Sequence, residues 1–338
     1  MLAMPLPHLR RLLRFLLTPC VIAFVLATLG GNAVAAPEAP DVAQARELLD
    51  TYYGDRHNLE QAAVLLKRAY DRDPKDADVY VQAGRATIMG AFVGLGRYEA
   101  GSREAYGALL DRALALDPKH AKAHILKSEV FAFDGRREEE LRELDTAKAL
   151  GTSDPWLDMG YARYYRSIRK TSEAYSYWGA VQARGPGATA SDHKAYVTAL
   201  WHMCGIRLEG EDMVKKVREF GAIALRERHP ADAYTPANWS EFFVDYELFD
   251  DAIAYARVAL QTMSFGAGRS ALAMGLYGKA AQQLMAGRPM NDPEVQALLK
   301  EARSLRIPRQ QLLPYFLEYR GFKGSLEKYR GVMEEIVL

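Results

Sequence analysis

The residues able to do chemistry are few. His120 and His124 stand four apart with Glu129 beyond them. That spacing puts both imidazoles on one helical face, the arrangement of a zinc-binding pair. A closed site needs more ligands, and no Cys and no His-Glu-x-x-His pattern supplies them, so no metal is expected. Trp201-His202-Met203-Cys204 brings a base and a thiol close in the chain. Two residues apart on a helix they point to different sides, so they do not pair as base and nucleophile. Cys204 reads as a small buried hydrophobe. The acids Glu138-Glu139-Glu140 and Asp250-Asp251 suit solvated helix starts, where the helix dipole favours negative charge.

Other signatures fail in the same way. Gly90-Ala-Phe-Val-Gly-Leu-Gly96 is glycine-rich, but no strand precedes it and no Lys-Ser/Thr ends it, so it does not read as a phosphate loop. A longer helix followed by a loose turn is the expectation there. Asn238-Trp239-Ser240 is a formal glycosylation sequon. No Gly-x-Ser-x-Gly, no Walker loop and no argued carboxylate pair occurs. The chain therefore reads as non-catalytic, without a cofactor. Its 338 residues carry 44 Lys and Arg against 43 Asp and Glu, a net +1, which lacks the basic excess of a nucleic-acid binder. With 49% hydrophobic and 26% charged residues, most of the length should fold.

The elements that must position these residues begin after an expected secretory leader, residues 1–35. Arg10, Arg11 and Arg14 form a basic start, Phe15 to Leu29 is uncharged and mostly apolar, and Ala33-Val34-Ala35 is an A-x-A cleavage site. An uncleaved anchor is the alternative, because the 22 uncharged residues from Phe15 to Ala36 could span a bilayer. Pro19 and the small-residue end favour removal. With Cys20 gone in the leader, only Cys204 remains and no internal disulfide can form. The expectation is an exported, bacterial protein, periplasmic in the first place, with extracellular or inner-membrane-anchored residence as alternatives.

From residue 41 onward apolar residues recur at helical spacing. Pro74, Pro118, Pro155, Pro186 and Pro230 punctuate the chain at intervals of 31 to 44 residues. Lys67-Arg-Ala-Tyr-Asp-Arg-Asp-Pro74 and Asp111-Arg-Ala-Leu-Ala-Leu-Asp-Pro118 share Arg-Ala-x-x-x-Asp-Pro, in which Ala permits close helix approach and Asp-Pro ends one helix and starts the next. These residues resemble the tetratricopeptide repeat, a 34-residue antiparallel helix pair. Ala62, Leu66, Ala69 and Pro74 match its second helix, and Tyr80, Ala83 and Gly84 its first. Leu110, Ala113 and Pro118 repeat the signature, followed by Ser128, Phe131 and Gly135, then Leu144 and Ala147. Trp156, Met159 and Gly160 fit the Trp-x-x-Leu-Gly element, with Ala174, Trp178 and Pro186 closing that unit. Weaker starts lie at Trp201, Cys204 and Gly205 and at Trp239, Ser240 and Phe243. The resemblance covers about 41 to 262 and departs from the period by an insertion of about ten residues between Gly84 and Tyr106.

The resemblance implies an all-α, right-handed superhelical solenoid of antiparallel helix pairs. Regular repeats are expected over 36–186 and degenerate ones over 187–262, with an irregular helical cap over 263–338. The spacer Gly185-Pro-Gly-Ala-Thr-Ala190 is the expected boundary. In this register His120 falls in an inter-repeat turn and His124 at the bulky first-helix position. The resemblance further implies a protein or peptide partner held by the first helices, at Arg85, Met89, Glu129, Phe133, Tyr161, Tyr164 and Tyr165. A Lys and Asn clamp for a terminal carboxylate is not matched, since Val81, Arg85, Ile125 and Glu129 stand in its places. No nucleic-acid partner and no stable membrane insertion after leader cleavage are expected. The rival is a small-ligand or catalytic pocket in the irregular half, lined by Trp201, His202, Trp239 and Tyr246.

Overall fold

Two kinds of turn, used alternately, fold this chain into helix pairs. The computed structural model describes residues 39–94, 97–206, 212–310, 312 and 327–337. The expected leader lies outside them, as does part of the cap expected over 263–338. Among the described residues fifteen α-helices follow one another. They are α1 (Pro40–Asp50), α2 (Arg56–Arg72), α3 (Ala77–Gly90), α4 (Ser102–Leu116), α5 (Ala121–Phe133), α6 (Arg137–Ala149), α7 (Pro155–Ser167) and α8 (Thr171–Arg184). Then come α9 (Ala190–Cys204), α10 (Met213–Glu227), α11 (Tyr234–Asp245), α12 (Phe249–Thr262), α13 (Gly266–Met285), α14 (Pro293–Ser304) and α15 (Arg330–Ile336).

The turns from α2 to α3 and from α4 to α5 are set by Asp-Pro. After α2 and after α4, the carboxylates of Asp73 and Asp117 accept from the amides of Lys75 and Lys119, each at 2.9 Å. Asp76, His120 and Asp154 then cap α3, α5 and α7. The register is visible in the bulky residue four places on: Tyr80 Oη donates to the Pro74 carbonyl (2.8 Å), and His124 Nε2 meets the Pro118 carbonyl (3.0 Å).

The turn within a pair is a Schellman motif, in which a residue at positive φ lets two amides reach back to orphan carbonyls. Gly135 serves between α5 and α6 at φ +72°. Its own amide and that of Arg136 bond Ala132 and Phe131. The same bond pattern recurs between α7 and α8 and between α11 and α12, where Arg169 (φ +62°) and Glu247 (φ +59°) take the strained position. The insertion between α3 and α4 departs from the expected longer helix and loose turn. The helix stops at Gly90, and the chain makes a short antiparallel hairpin, β1 (Phe92–Gly94) and β2 (Arg97–Tyr98). Glu99 N–H closes it on the Ala91 carbonyl.

Small residues let neighbouring helices meet, within a pair and between pairs. A Cβ on Gly160 would lie 2.5 Å from Leu144 Cδ2, and one on Gly84 would lie 3.2 Å from Tyr106 Cδ2. Both are closer than ordinary contacts, so bulk there collides with a neighbouring buried side chain. Tyr80, Tyr106, Leu110, Leu144 and Trp178 are fully buried, each contributing about 1.5–3 kcal/mol through burial.

The described residues divide into two compact units: those from 39 to 183 with Thr189–Asp192, and Arg184–Ala188 with those from His193 onward. The Gly185–Ala190 spacer lies at that division. In the second unit α13, α14 and α15 share one core with α11 and α12: Trp239, Phe243 and Phe249 cluster with Met274, Leu276, Leu299 and Met333. The described residues beyond 262 thus share a core with those of α11 and α12.

Candidate functional site

In the first unit the first helices run side by side. α3 packs on α1 and α7 packs on α5. Polar side-chain contacts link them, beside the apolar packing they share. Arg85 of α3 bonds Asp50 at the end of α1 and Gln82 on its own helix. Asp78 of α3 meets His120 at the start of α5 (2.9 Å), and Lys122 of α5 reaches Asp154 at the start of α7 (2.7 Å). Beyond them Trp156 Nε1 donates to Ser191 Oγ on α9 at 3.0 Å. Burial pulls the Lys122 ammonium below its ordinary value, against the opposing pull of Asp154. Asp78, Lys122 and Asp154 each stand two residues before the bulky register residues Tyr80, His124 and Trp156. That spacing was present in the sequence, but only the adjacency of the helices reveals these residues as inter-repeat partners.

The seven residues expected to meet a partner divide into three groups. Arg85 and Tyr161 are buried, 9% and 2% exposed, which corrects the expectation that they contact a partner directly. Arg85 spends its guanidinium on Asp50. Tyr161 donates to Asp145 of α6 (2.7 Å), and burial together with that bond pushes its phenol far above the usual range. Glu129 and Phe133 are half-buried beneath the insertion. Tyr106 Oη donates to Glu129 (3.2 Å), and the Tyr98 ring of β2 packs on Phe133 with centroids 5.4 Å apart. Arg103 lies over both rings, 5.2 Å from Tyr98 and 4.7 Å from Phe133. Burial, then the Glu129 charge, lifts the Tyr98 phenol above its ordinary value. Phe92, 49% exposed, continues this cluster to the surface, edge-on to Tyr98.

Met89, Tyr164 and Tyr165 form the third group, each half-buried. Met89 lies against the core built by α1 to α5. Tyr165 and Tyr161 both stack on Tyr177 of α8, at 5.5 and 4.9 Å with nearly parallel rings. Tyr164 meets Tyr165 edge-on at 5.3 Å. Tyr177 and Tyr98 were not singled out from the sequence, because both lie outside the first helices that the repeat register marks.

The other chemistry-bearing residues are absorbed by structure. Glu140 is fully buried between Arg137 (2.7 Å) and Arg163 (3.0 Å), which corrects its reading as a solvated acid. Arg163 continues to Ser128 at 2.9 Å. Asp251 pairs with Arg218, and Asp250 with Lys279. His124 Nδ1 faces Glu143. Cys204 is buried. Ser240 of the sequon is fully buried and donates to the Ala252 carbonyl. In the second unit the residues proposed to line a pocket are packed instead. Trp239 is fully buried beside Phe242, and Trp201 lies against Phe242 (5.3 Å) with His202 edge-on at 5.0 Å. Tyr246 packs on the same core. Among the described residues no cluster of three His, Cys, Asp or Glu could hold a metal, and no helix is long and apolar enough to cross a membrane.

No protein-family model matches the chain, and no curated protein matches it. Solved structures do share its fold. A chain of the APC/C hetero-tetramer Cut9-Hcn1 aligns at a TM-score of 0.50 with 15% identity, over 77% of this chain and 48% of that one. The IFIT1 monomeric mutant (L457E/L464E) with Gppp-AAAA aligns at 0.56 with 13% identity, over 88% of this chain and 68% of that one. This chain therefore spans about half the length of the first of these. Both are tetratricopeptide-repeat proteins. The fold is all-α and TPR-like, a solenoid of antiparallel helix pairs.

Proposed function

We propose that this protein is a non-catalytic scaffold that binds a peptide or protein partner along the first helices of its first unit. The observation that supports this most is the row those helices make. α1, α3, α5 and α7 are held side by side by Asp50–Arg85, Asp78–His120 and Lys122–Asp154. Met89 and Tyr164 remain half-exposed on helices of that row. Aromatic side chains in such positions bury large area at small entropic cost, which suits them as anchors. Tetratricopeptide-repeat proteins of this fold are known as protein-interaction scaffolds, which supports the reading by analogy of fold.

In this reading the protein works outside the cytoplasm, in the cell envelope, with the periplasm as its first compartment. That part rests on the basic start, apolar stretch and A-x-A site before Ala36.

The test compares the full chain with Met89→Glu and Tyr164→Ala, first capturing a stoichiometric partner from envelope extract and then measuring affinity with the purified pair. We expect both variants to keep their helicity while affinity falls at least about tenfold, the size of a typical hot-spot loss. Equal binding by all three chains, or no stoichiometric partner for any of them, would reject the reading.

A further inference from the structure

The joint between the second and third helix pairs carries a titratable cap where its neighbours carry acids. The N-caps of α3 and α7 are Asp76 and Asp154, whose carboxylates accept from the amides of Asp78 and Trp156 at 2.9 Å. At the corresponding place α5 has His120. Its Nδ1 accepts from the Ala123 amide at 3.2 Å, and its Nε2 lies 2.9 Å from Asp78 Oδ1 on α3. A backbone N–H can only donate, so Nδ1 is the bare nitrogen and the ring proton sits on Nε2, aimed at the carboxylate. The neutral ring thus caps one helix and bonds another at once. A second proton has only Nδ1 to go to, where it would face the Ala123 N–H.

We propose that His120 is a protonation switch, exchanging the N-terminal cap of α5 for a full ion pair with Asp78 of α3. The charged groups acting on the imidazole are Asp78 and, from the end of α4, Asp117. Arg46 of α1 acts on Asp78 in turn. The charges that α6 and α7 bring to this end of α5 are engaged elsewhere, Glu143 with His124 and Asp154 with Lys122. Burial disfavours the imidazolium, but the Asp78 bond and the charges of Asp78 and Asp117 outweigh it, so His120 titrates above its ordinary range. The sign follows. The ion pair is complete below about pH 6.5, the unfolded value, and is lost as pH rises through the higher folded value. The cap runs the other way, present at high pH and given up on protonation. The switch also reaches the next joint, because the first turn of α5 carries Lys122, which holds Asp154 of α7. It stands independently of the partner reading.

Nuclear magnetic resonance of the full chain, titrated from about pH 5 to 9 across the histidine range, tests it without knowledge of any partner. The His120 ring should show the Nε2–H form at high pH, and the Ala123 amide should shift with the same midpoint as the ring. Asp78→Asn should lower that midpoint by about one unit. His120→Ser, which can cap without titrating, should abolish the Ala123 titration. An Ala123 amide that stays flat while His120 titrates overturns the proposal in the unaltered chain alone. A midpoint unmoved by Asp78→Asn does the same.

Discussion

Position 160 shows how much one hydrogen atom decides here. Leu144 is fully buried on α6, and its Cδ2 sits where any side chain on residue 160 would begin. Gly160→Leu should therefore overpack the contact and destabilise the chain by about 1–3 kcal/mol, read from a denaturant midpoint at unchanged slope. A neutral result would mean that α6 and α7 are free to part. The same logic governs Gly278 of α13, where a Cβ would lie 2.2 Å from Phe249 Cε1. The sequence register marked Gly160, because it belongs to Trp-x-x-Leu-Gly. Nothing marked Gly278, because the helix that bears it follows no repeat pattern.

At the scale of elements, the turns between α5 and α6, α7 and α8, and α11 and α12 are one device spelled in three ways. Gly135 meets its positive φ without strain, while Arg169 and Glu247 hold the same conformation with a Cβ. Glu247 gains a partner in return: its carboxylate accepts from Tyr329 Oη and pairs with Lys328 Nζ, each at 2.7 Å, tying the C-terminal segment to the α11–α12 turn. Arg169 is exposed. Arg169→Gly should raise stability by about 1 kcal/mol through relief of left-handed strain, seen as a higher melting temperature. An unchanged or lower melting temperature would show that the unfolded-state entropy of glycine cancels the relief. The aromatic stack of α7 and α8 belongs to this scale too. Tyr165 faces Tyr177, so replacing it costs packing as well as surface, which is why Met89 and Tyr164 are the cleaner probes of binding.

At the scale of the whole molecule, two compact units stand in one chain, with only Cys204 among the cysteines beyond the proposed leader. Helix packing and ion pairs must carry the stability that disulfides give many exported proteins. Loss of residues 1–35 would remove Arg10, Arg11 and Arg14, taking 44 Lys and Arg to 41 against 43 Asp and Glu. The proposed export has a direct measurement. The mature protein isolated from its native cell should begin at Ala36, and an intact Met1 terminus would favour the anchored alternative.

The sequence by itself determined the helix pairs and their register. The Asp-Pro turns, the Ala and Gly contact positions and the bulky Tyr80, His124 and Trp156 are local signals, repeated at a near-constant period, and local signals survive in one dimension. The insertion was legible as an excess of residues but not as a hairpin, since the ring that seats it, Phe133, is more than thirty residues further on. Tertiary structure alone decided which marked residues keep a surface. Arg85 and Tyr161 have groove positions in the repeat, yet Asp50 and Asp145, on other helices, draw them inward. It also decided that α13 to α15 share one core with α11 and α12. Burial and ion pairing depend on what lies across a helix interface, and that neighbour is fixed only when the chain has folded.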